Sequence, residues 1–490
     1  MKIVPTFCEF EQMAKVGNVI PVYYETLADM ETPVSAYLKT RDNTFSFLLE
    51  SAELGKRWGR YSFIGWNPHL VVSVRDKDME ISRGNKQTFL RDVKNPLQVL
   101  RDINRGFHPA WETGDFHLPG GLIGYFNYDL LRKWEPVECP YEVSNFPESV
   151  FVAPQQLIIF DHLRHVIKVI ALVYLEDNTD LGKAYEQAVQ RIKATDSKLR
   201  SPLHQYLTEK TFRISNFVSN ISKREFEAKV RRIKEYIVAG DVIQVVLSRR
   251  FSGDMSGDPF VLYRTLRSIN PSPYMFYLHF DDVKLIGASP EILARLTNRK
   301  IDLRPIAGTK PRGATAKEDS TFEKELLEDP KERAEHIMLV DLGRNDVGKV
   351  AVAGSVEVSK FMEIERYSHV MHIVSHVQGI LKPELDCFDL FMSVFPAGTV
   401  TGAPKVRAMQ IISELEPSPR GAYAGAVGYF SFDGNMDFCI TIRTIIISKN
   451  RLSVQTGAGI VYDSVPEKEY EETIGKAAGI FKAMEGAQQQ

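Results

Sequence analysis

Cysteine is scarce and scattered: four thiols in 490 residues, Cys8, Cys139, Cys387 and Cys439, with no two in CxxC spacing. That pattern argues against a disulfide framework and a cysteine zinc site, and it reads as reduced residues of a cytoplasmic protein. Neither sign of charge is in excess, with 61 basic against 63 acidic residues, so nothing suggests nucleic acid or an anionic membrane as partner. A small anion remains possible, since it needs only a local cluster of cations and backbone donors. Long apolar runs are also missing. The longest, such as Val169 to Leu175, fall far below the roughly 18 residues that span a bilayer, and the start MKIVPTFCEFEQMAK has no basic region leading into an apolar core. There is no internal repeat, and no low-complexity segment beyond Gln488 to Gln490.

What is present suggests a large mixed core. Length alone suggests about three domains, and the composition divides the chain into 1–195, a polar linker 196–220 and a second region 221–490. Leu70 to Val74, Gln156 to Phe160 and Val166 to Leu175 are rich in β-branched and aromatic residues and read as strands; Asp177 to Ala194 reads as a helix. In the second region Ser222 and Glu225 form a capping box. Phe226, Val230, Ile233 and Ile237 then recur on one helical face up to Gly240. Val242 to Phe251 follows as a strand, with Gln244 and Val245 on opposite faces. Lys331 to Leu339 has helical spacing behind Pro330, and Thr401 to Pro404 leads into a helix ending near Leu415. Gly425 to Phe432, the Asp433-Gly434 turn and Met436 to Ser448 form the clearest hairpin, continued by Leu452 to Thr456. Antiparallel strands mixed with flanking helices predict an α+β fold of packed sheets, not a doubly wound parallel one.

Several short motifs occur in one order along the second region. They are GDVIQV (240–245), SPE (289–291), PIAGT (305–309), RAEH (333–336) with DLGRND (341–346), SHVMH (368–372), FPAGTVTGAPK (395–405), GAYAGAVGY (421–429), GAG (457–459) and EKEYEET (467–473). Taken singly, PIAGT is an ordinary turn in which Gly308 N–H and the Thr309 hydroxyl stand free to approach an anion. Taken together, the set resembles the large synthase subunits of the anthranilate synthase family of chorismate-utilising enzymes. The likeness is strong over 215–485. It is weaker before that, where LLES (48–51) and PGGLIGYFNYD (119–129) also match. The resemblance implies a two-sheet antiparallel sandwich covered by helices, with strands from both halves.

Residue spacing and the resemblance together nominate a site. Glu332 and Glu335 share a helical face, as do Glu469 and Glu472. By spacing alone these are solvated helix faces. The resemblance implies that Glu335 and Glu472 bind Mg2+, with Glu332 and Glu469 as water-mediated support; such an ion takes few carboxylates beside water and substrate. Arg443, a charge in the apolar run Cys439 to Arg443, needs a partner, which a strand-edge salt bridge or a substrate carboxylate would supply. By resemblance Gly308, Thr309, Tyr423, Arg443, Gly457, Ala458, Gly459 and Lys476 cradle chorismate. Glu291 protonates the departing C4 hydroxyl, His369 assists pyruvate loss, and Thr401 and Gln244 complete the catalytic set. His369 and His372, three apart on an expected strand, face opposite ways, which argues against a metal pair.

The implied reaction adds ammonia at C2 of chorismate, then expels pyruvate to give anthranilate. Gln244 stands where the water-using isochorismate and salicylate synthases carry a lysine base, and Ala307 where the aminodeoxychorismate branch carries a lysine. No GxCxG elbow surrounds any cysteine, so glutamine hydrolysis is expected on another polypeptide; the resemblance implies a separate glutamine amidotransferase subunit, in a heterotetramer of two large and two small chains. Glu50, Ser51, Pro273, Tyr274, Met275 and Cys439 resemble the family's feedback site for L-tryptophan. Without the resemblance, that region reads as a strand end packed on a proline turn.

Overall fold

The computed structural model describes residues 1–42, 44–51, 59–111, 118, 120–138, 146–206, 211–366 and 370–489. Cys139 and His369 lie outside the described residues. Local chemistry sets the elements as expected at several places. Ser222 Oγ accepts the Glu225 N–H at 3.3 Å while Glu225 Oε2 accepts the Ser222 N–H at 2.9 Å, so the helix Lys223–Val238 starts on a reciprocal cap.

The strands make two curved antiparallel layers. One runs, neighbour to neighbour, through Val19–Leu27, Val166–Tyr174, Ser149–Asp161, Tyr61–Arg75, Phe45–Glu50, Tyr274–Phe280, Val283–Ser289, Thr444–Ser448, Arg451–Ile460 and Gln244–Ser256. The other continues from the far ends of Tyr61–Arg75 and Ser149–Asp161 through Gly121–Phe126, Ala426–Ser431, Met436–Ile440, Ile292–Thr297 and Lys300–Leu303 to Val370–Ile380. Two long strands therefore belong to both layers. They turn the corner at a register shift between Pro68 and Leu70, next to Asn67 with φ 53°. Side chains from both layers fill the space between them, among them Tyr125, Leu278, Phe280, Leu285 and Phe438.

Helices cover the outer faces. Phe260–Ile269 and Pro466–Gln488 pack on the first layer, and Lys223–Val238 and Lys405–Leu415 close over Val245 and Leu247. The stretch 196–220 holds the end of the helix Leu181–Arg200 and an edge strand, Arg213–Ser219, paired with Gln244–Ser256. Its apolar residues Ile214, Phe217 and Val218 do not alternate and Val218 is exposed, which is why it reads as a linker in sequence.

The predicted long strand Met436 to Ser448 is two strands, and this bears on the site. Met436–Ile440 belongs to the second layer and Thr444–Ser448 to the first. The chain crosses between them at 441–443, where Arg443 has φ 48°. Arg443 is therefore not in a strand, and it does not share one with Cys439. Cys439 to Ile447 stays rich in β-branched residues through the crossing, so the pattern gave no sign of a switch between layers.

Candidate active site and inter-sheet cavity

The cleft forms where three glycine-bearing backbones meet side chains. A Cβ on Gly457 would stand 2.7 Å from the Tyr423 hydroxyl, and one on Gly459 would stand 2.7 Å from Gln244 Nε2. One on Gly308, itself at φ 65°, would stand 3.1 Å from Glu332 Oε2. These glycines keep open the space beside a phenol, an amide and a carboxylate, as close approach of backbone to a ligand requires. Lys476 Nζ donates to the Gly457 carbonyl at 3.0 Å and pairs with Glu472 at 2.8 Å; Gln244 Nε2 donates to Glu335 Oε1 at 3.2 Å. The strand pair Gln244–Ser256 and Arg451–Ile460 thus joins the helices Pro330–Val350 and Pro466–Gln488 around one space.

Electrostatics mark the same space. Burial pushes the Glu291 carboxyl up to about 7, opposed by Thr399, Lys476 and Arg443. It remains partly open to the cleft, so it holds a proton near neutrality while still able to reach a ligand. Arg443 is held below its usual range by burial, with Glu291 opposing. Glu332 is raised by burial and then by Glu335, Asp329 and Glu472; Glu469 is raised by burial and by Glu472, which its bond from Ser464 opposes. The two carboxylate pairs therefore feel one another across the cleft. Among the described residues, no group of three or more His, Cys, Asp or Glu side chains is placed to hold a metal ion by itself, so a cation here would depend on two carboxylates, water and a bound anion. The donor set fits a hard cation that shares two helices with a bound anion: oxygen only, mutually repelling, and beside a glycine that leaves room.

A second space, a cavity of about 1250 Å³, lies between the layers. Glu50, Ser51, Pro273, Tyr274, Met275 and Cys439 all line it. Glu50 accepts both prongs of Arg267, at 3.0 and 3.1 Å, and the Tyr263 hydroxyl; Tyr274 donates to Asp437 at 2.8 Å. The Ser51 hydroxyl is buried without a partner among the described residues. Pro290 and Ile292, on either side of Glu291, and Ile306, two residues from Gly308, form the wall nearest the cleft.

Residues 44–482 match the family of chorismate binding enzymes. The chain is 49% identical over 486 residues to anthranilate synthase component 1 of Aquifex aeolicus (strain VF5), covering 98% of each, and 47% identical over 492 residues to that of Acetivibrio thermocellus, covering 99% of each. It superposes on the crystal structure of anthranilate synthase component I from Streptococcus pneumoniae TIGR4 with a TM-score of 0.75 at 35% identity, over 93% of this chain and 98% of that one. The chain belongs to the chorismate binding enzymes. The menaquinone-specific isochorismate synthase MenF of Escherichia coli shares the fold, with a TM-score of 0.72 at 19% identity, over 98% of this chain and all of that one.

In this chorismate binding enzyme, Glu291, Gln244, Gly308, Tyr423, Gly457, Gly459, Lys476 and the four glutamates come together, with Arg443 and the buried Ala458 beside them. Thr309 stands at the exposed rim. Thr401 does not present its hydroxyl, which is buried and donates to the Ala397 carbonyl at 2.9 Å. Two residues away, Thr399 has a buried hydroxyl with no well-formed hydrogen bond and lies close enough to Glu291 to act on it. The two threonines sit two apart in one motif, and only the short turn Gly398–Val400 separates their roles. His372 is the histidine that the described structure brings to this space. Its Nδ1 is 2.9 Å from the Gly308 carbonyl and 3.1 Å from the Thr309 hydroxyl, and Arg443 acts on its charge. Behind the cleft, the buried Arg420 donates to the Val400 and Val246 carbonyls, both at 2.7 Å, and pairs with Glu416 at 2.8 Å. An arginine in a loop between proline and glycine gave no sequence signal of burial.

Proposed function

We propose that the chain is the synthase subunit of an anthranilate synthase, converting chorismate and ammonia to anthranilate and pyruvate. The observation that carries this reading is the environment of Glu291, a carboxyl poised at about 7 beside two cations, within a cleft that has Gln244 where a lysine would activate water. The relatives at 47–49% identity bear that name over nearly their full length. Ala307 is buried and paired with Ile373, which leaves no lysine for the aminodeoxychorismate chemistry.

In this reading Arg443 and the amides near Gly457 to Gly459 hold the substrate carboxylates, and Tyr423 orients one of them. Glu291 gives its proton to the C4 oxygen as that hydroxyl leaves and the nitrogen lone pair bonds to C2. A positioned acid of this kind contributes about 10²–10⁴-fold. His372 then serves the elimination, in which the C2 proton is lost, the enolpyruvyl C–O bond breaks, and a proton returned to the side chain completes pyruvate. Glu335 and Glu472 would hold Mg2+, with Glu332 and Glu469 through water; bound there, the ion supplies charge that neutralises a substrate carboxylate.

Ammonia would come from a glutamine amidotransferase subunit, in a heterotetramer in the cytoplasm. Tryptophan would bind between the sheets, its ammonium at Glu50 and Ser51 and its indole against Pro273 and Met275. The test of the division of labour uses the purified chain alone. An ammonium salt should support anthranilate formation and glutamine should not. Anthranilate from glutamine without a second protein would contradict it.

A further inference from the structure

One hydroxyl ties together three elements around the carboxylate ladder. His336 follows Glu335 on the helix Pro330–Val350 and is fully buried. Its Nε2 lies 2.6 Å from Ser375 Oγ in the strand Val370–Ile380. The same Ser375 oxygen accepts the Met362 N–H at 3.0 Å. Met362 has φ 55° in an irregular stretch of Glu357–Arg366 where strand pairing skips from Lys360 to Glu363, so its N–H has lost its ladder partner. Finally, the Ser375 backbone N–H donates at 3.2 Å to the carbonyl of Pro305, the residue before the strand Ile306–Pro311 that carries Gly308 and Thr309.

Helical geometry turns this tie into a constraint on the site. Glu332 and His336 are four apart and nearly share a face, while Glu335 lies about 100° round the helix from His336. With His336 pinned inward, rotation of the helix is opposed, and Glu332 stays beside Gly308, where an added Cβ would stand 3.1 Å from Glu332 Oε2. Pro305, whose carbonyl Ser375 holds, also lies 3.6 Å from where a Gly343 Cβ would stand, about two turns further along the same face of that helix. The strand Ile306–Pro311, which also pairs directly with Val370–Ile380, and the helix thus share Ser375 as a contact.

We infer that Ser375 and His336 are positioning residues for cation binding, fixing the Glu332–Glu335 face relative to the strand Ile306–Pro311. The inference rests on the reading of those carboxylates as metal ligands. A hydrogen bond in a dry site is costly to leave half made, so loss of either partner loosens the tie.

The experiment titrates Mn2+, followed by its paramagnetic resonance signal, into wild type, Ser375→Ala, Ser375→Thr and His336→Leu, with chorismate present and ammonium omitted. The alanine and leucine variants should need about tenfold more Mn2+ for half-saturation, and threonine, which keeps the hydroxyl, should stay within about threefold of wild type. In turnover assays, kcat of the alanine variant should return to within about twofold at high Mg2+. Wild type without bound Mn2+ overturns the metal reading and the inference with it. Wild-type binding matched by the alanine and leucine variants overturns the inference alone. Failure of both variants to fold, or a loss of kcat that metal does not restore, makes the tie a folding element and overturns the positioning role.

Discussion

The cleft and the inter-sheet cavity sit back to back, separated by the segments that carry Glu291 and Gly308, yet their polar groups are arranged in opposite ways. In the cavity the charges are already paired: Glu50 with Arg267 and Tyr263, and Asp437 with Arg295 and Tyr274. In the cleft they are left in tension. Carboxylates repel one another, Glu291 is pushed toward its neutral form and Arg443 away from its charge. A ligand entering the cleft relieves unfavourable terms, whereas one entering the cavity must replace or join satisfied ones. Substrate and cation binding are therefore expected to be cooperative, and inhibitor binding to be selective for a ligand that offers both an ammonium and an apolar ring.

The comparison is broken most sharply by removing the tension. Glu335→Gln and Glu472→Gln should each lower turnover on the order of a thousandfold, about 4 kcal/mol, with the fold retained. Circular dichroism and an anthranilate fluorescence assay decide it, and a folded variant of near-parental activity would remove that residue from the metal set. Next in size is the strain at Glu291. A carboxyl raised from 4.5 to about 7 keeps its proton in the folded state, so ionisation penalises folding progressively as pH rises from 4.5 and fully above 7. Glu291→Gln should therefore stabilise the protein by up to about 3 kcal/mol at pH 8 and hardly at all at pH 4.5, while abolishing turnover. Urea unfolding at the two pH values measures it; an equal effect at both would mean that Glu291 is not held protonated.

His372→Ala should slow anthranilate release about a hundredfold, near 2.7 kcal/mol, and let 2-amino-2-deoxyisochorismate accumulate, because the addition step depends on Glu291 instead. Chromatography of the products, run beside His369→Ala, shows which histidine serves the elimination. The smallest expected effect lies in the cavity. Ser51→Phe should weaken inhibition by tryptophan at least about tenfold, roughly 1.4 kcal/mol, and leave uninhibited turnover near parental. An unchanged inhibition curve would put the inhibitor elsewhere.

The sequence made the α+β class, the main helices and the pairs of glutamates legible, because each rests on periodicity or on a motif whose residues touch their neighbours in the chain. Ser222 with Glu225, and Glu332 with Glu335, are examples. What it did not show depends on contacts distant in the chain. The crossing at Arg443 is set by which layer each flanking strand pairs with, and apolar residues are equally suited to both. Thr399 and Thr401 differ only in which way a three-residue turn points them. His372 acquires its place from the Gly308 carbonyl, 64 positions away, and no spacing rule reaches that far. The cavity was legible as six residues from three separated stretches, but not as one space.

Product identity tests the central claim most directly. Purified protein given chorismate, Mg2+ and an ammonium salt at mildly alkaline pH should form anthranilate and pyruvate in equal amounts, with no isochorismate when ammonium is withheld. Formation of 4-amino-4-deoxychorismate with pyruvate retained, or of isochorismate from water, would contradict the account of Gln244, Ala307 and Glu291.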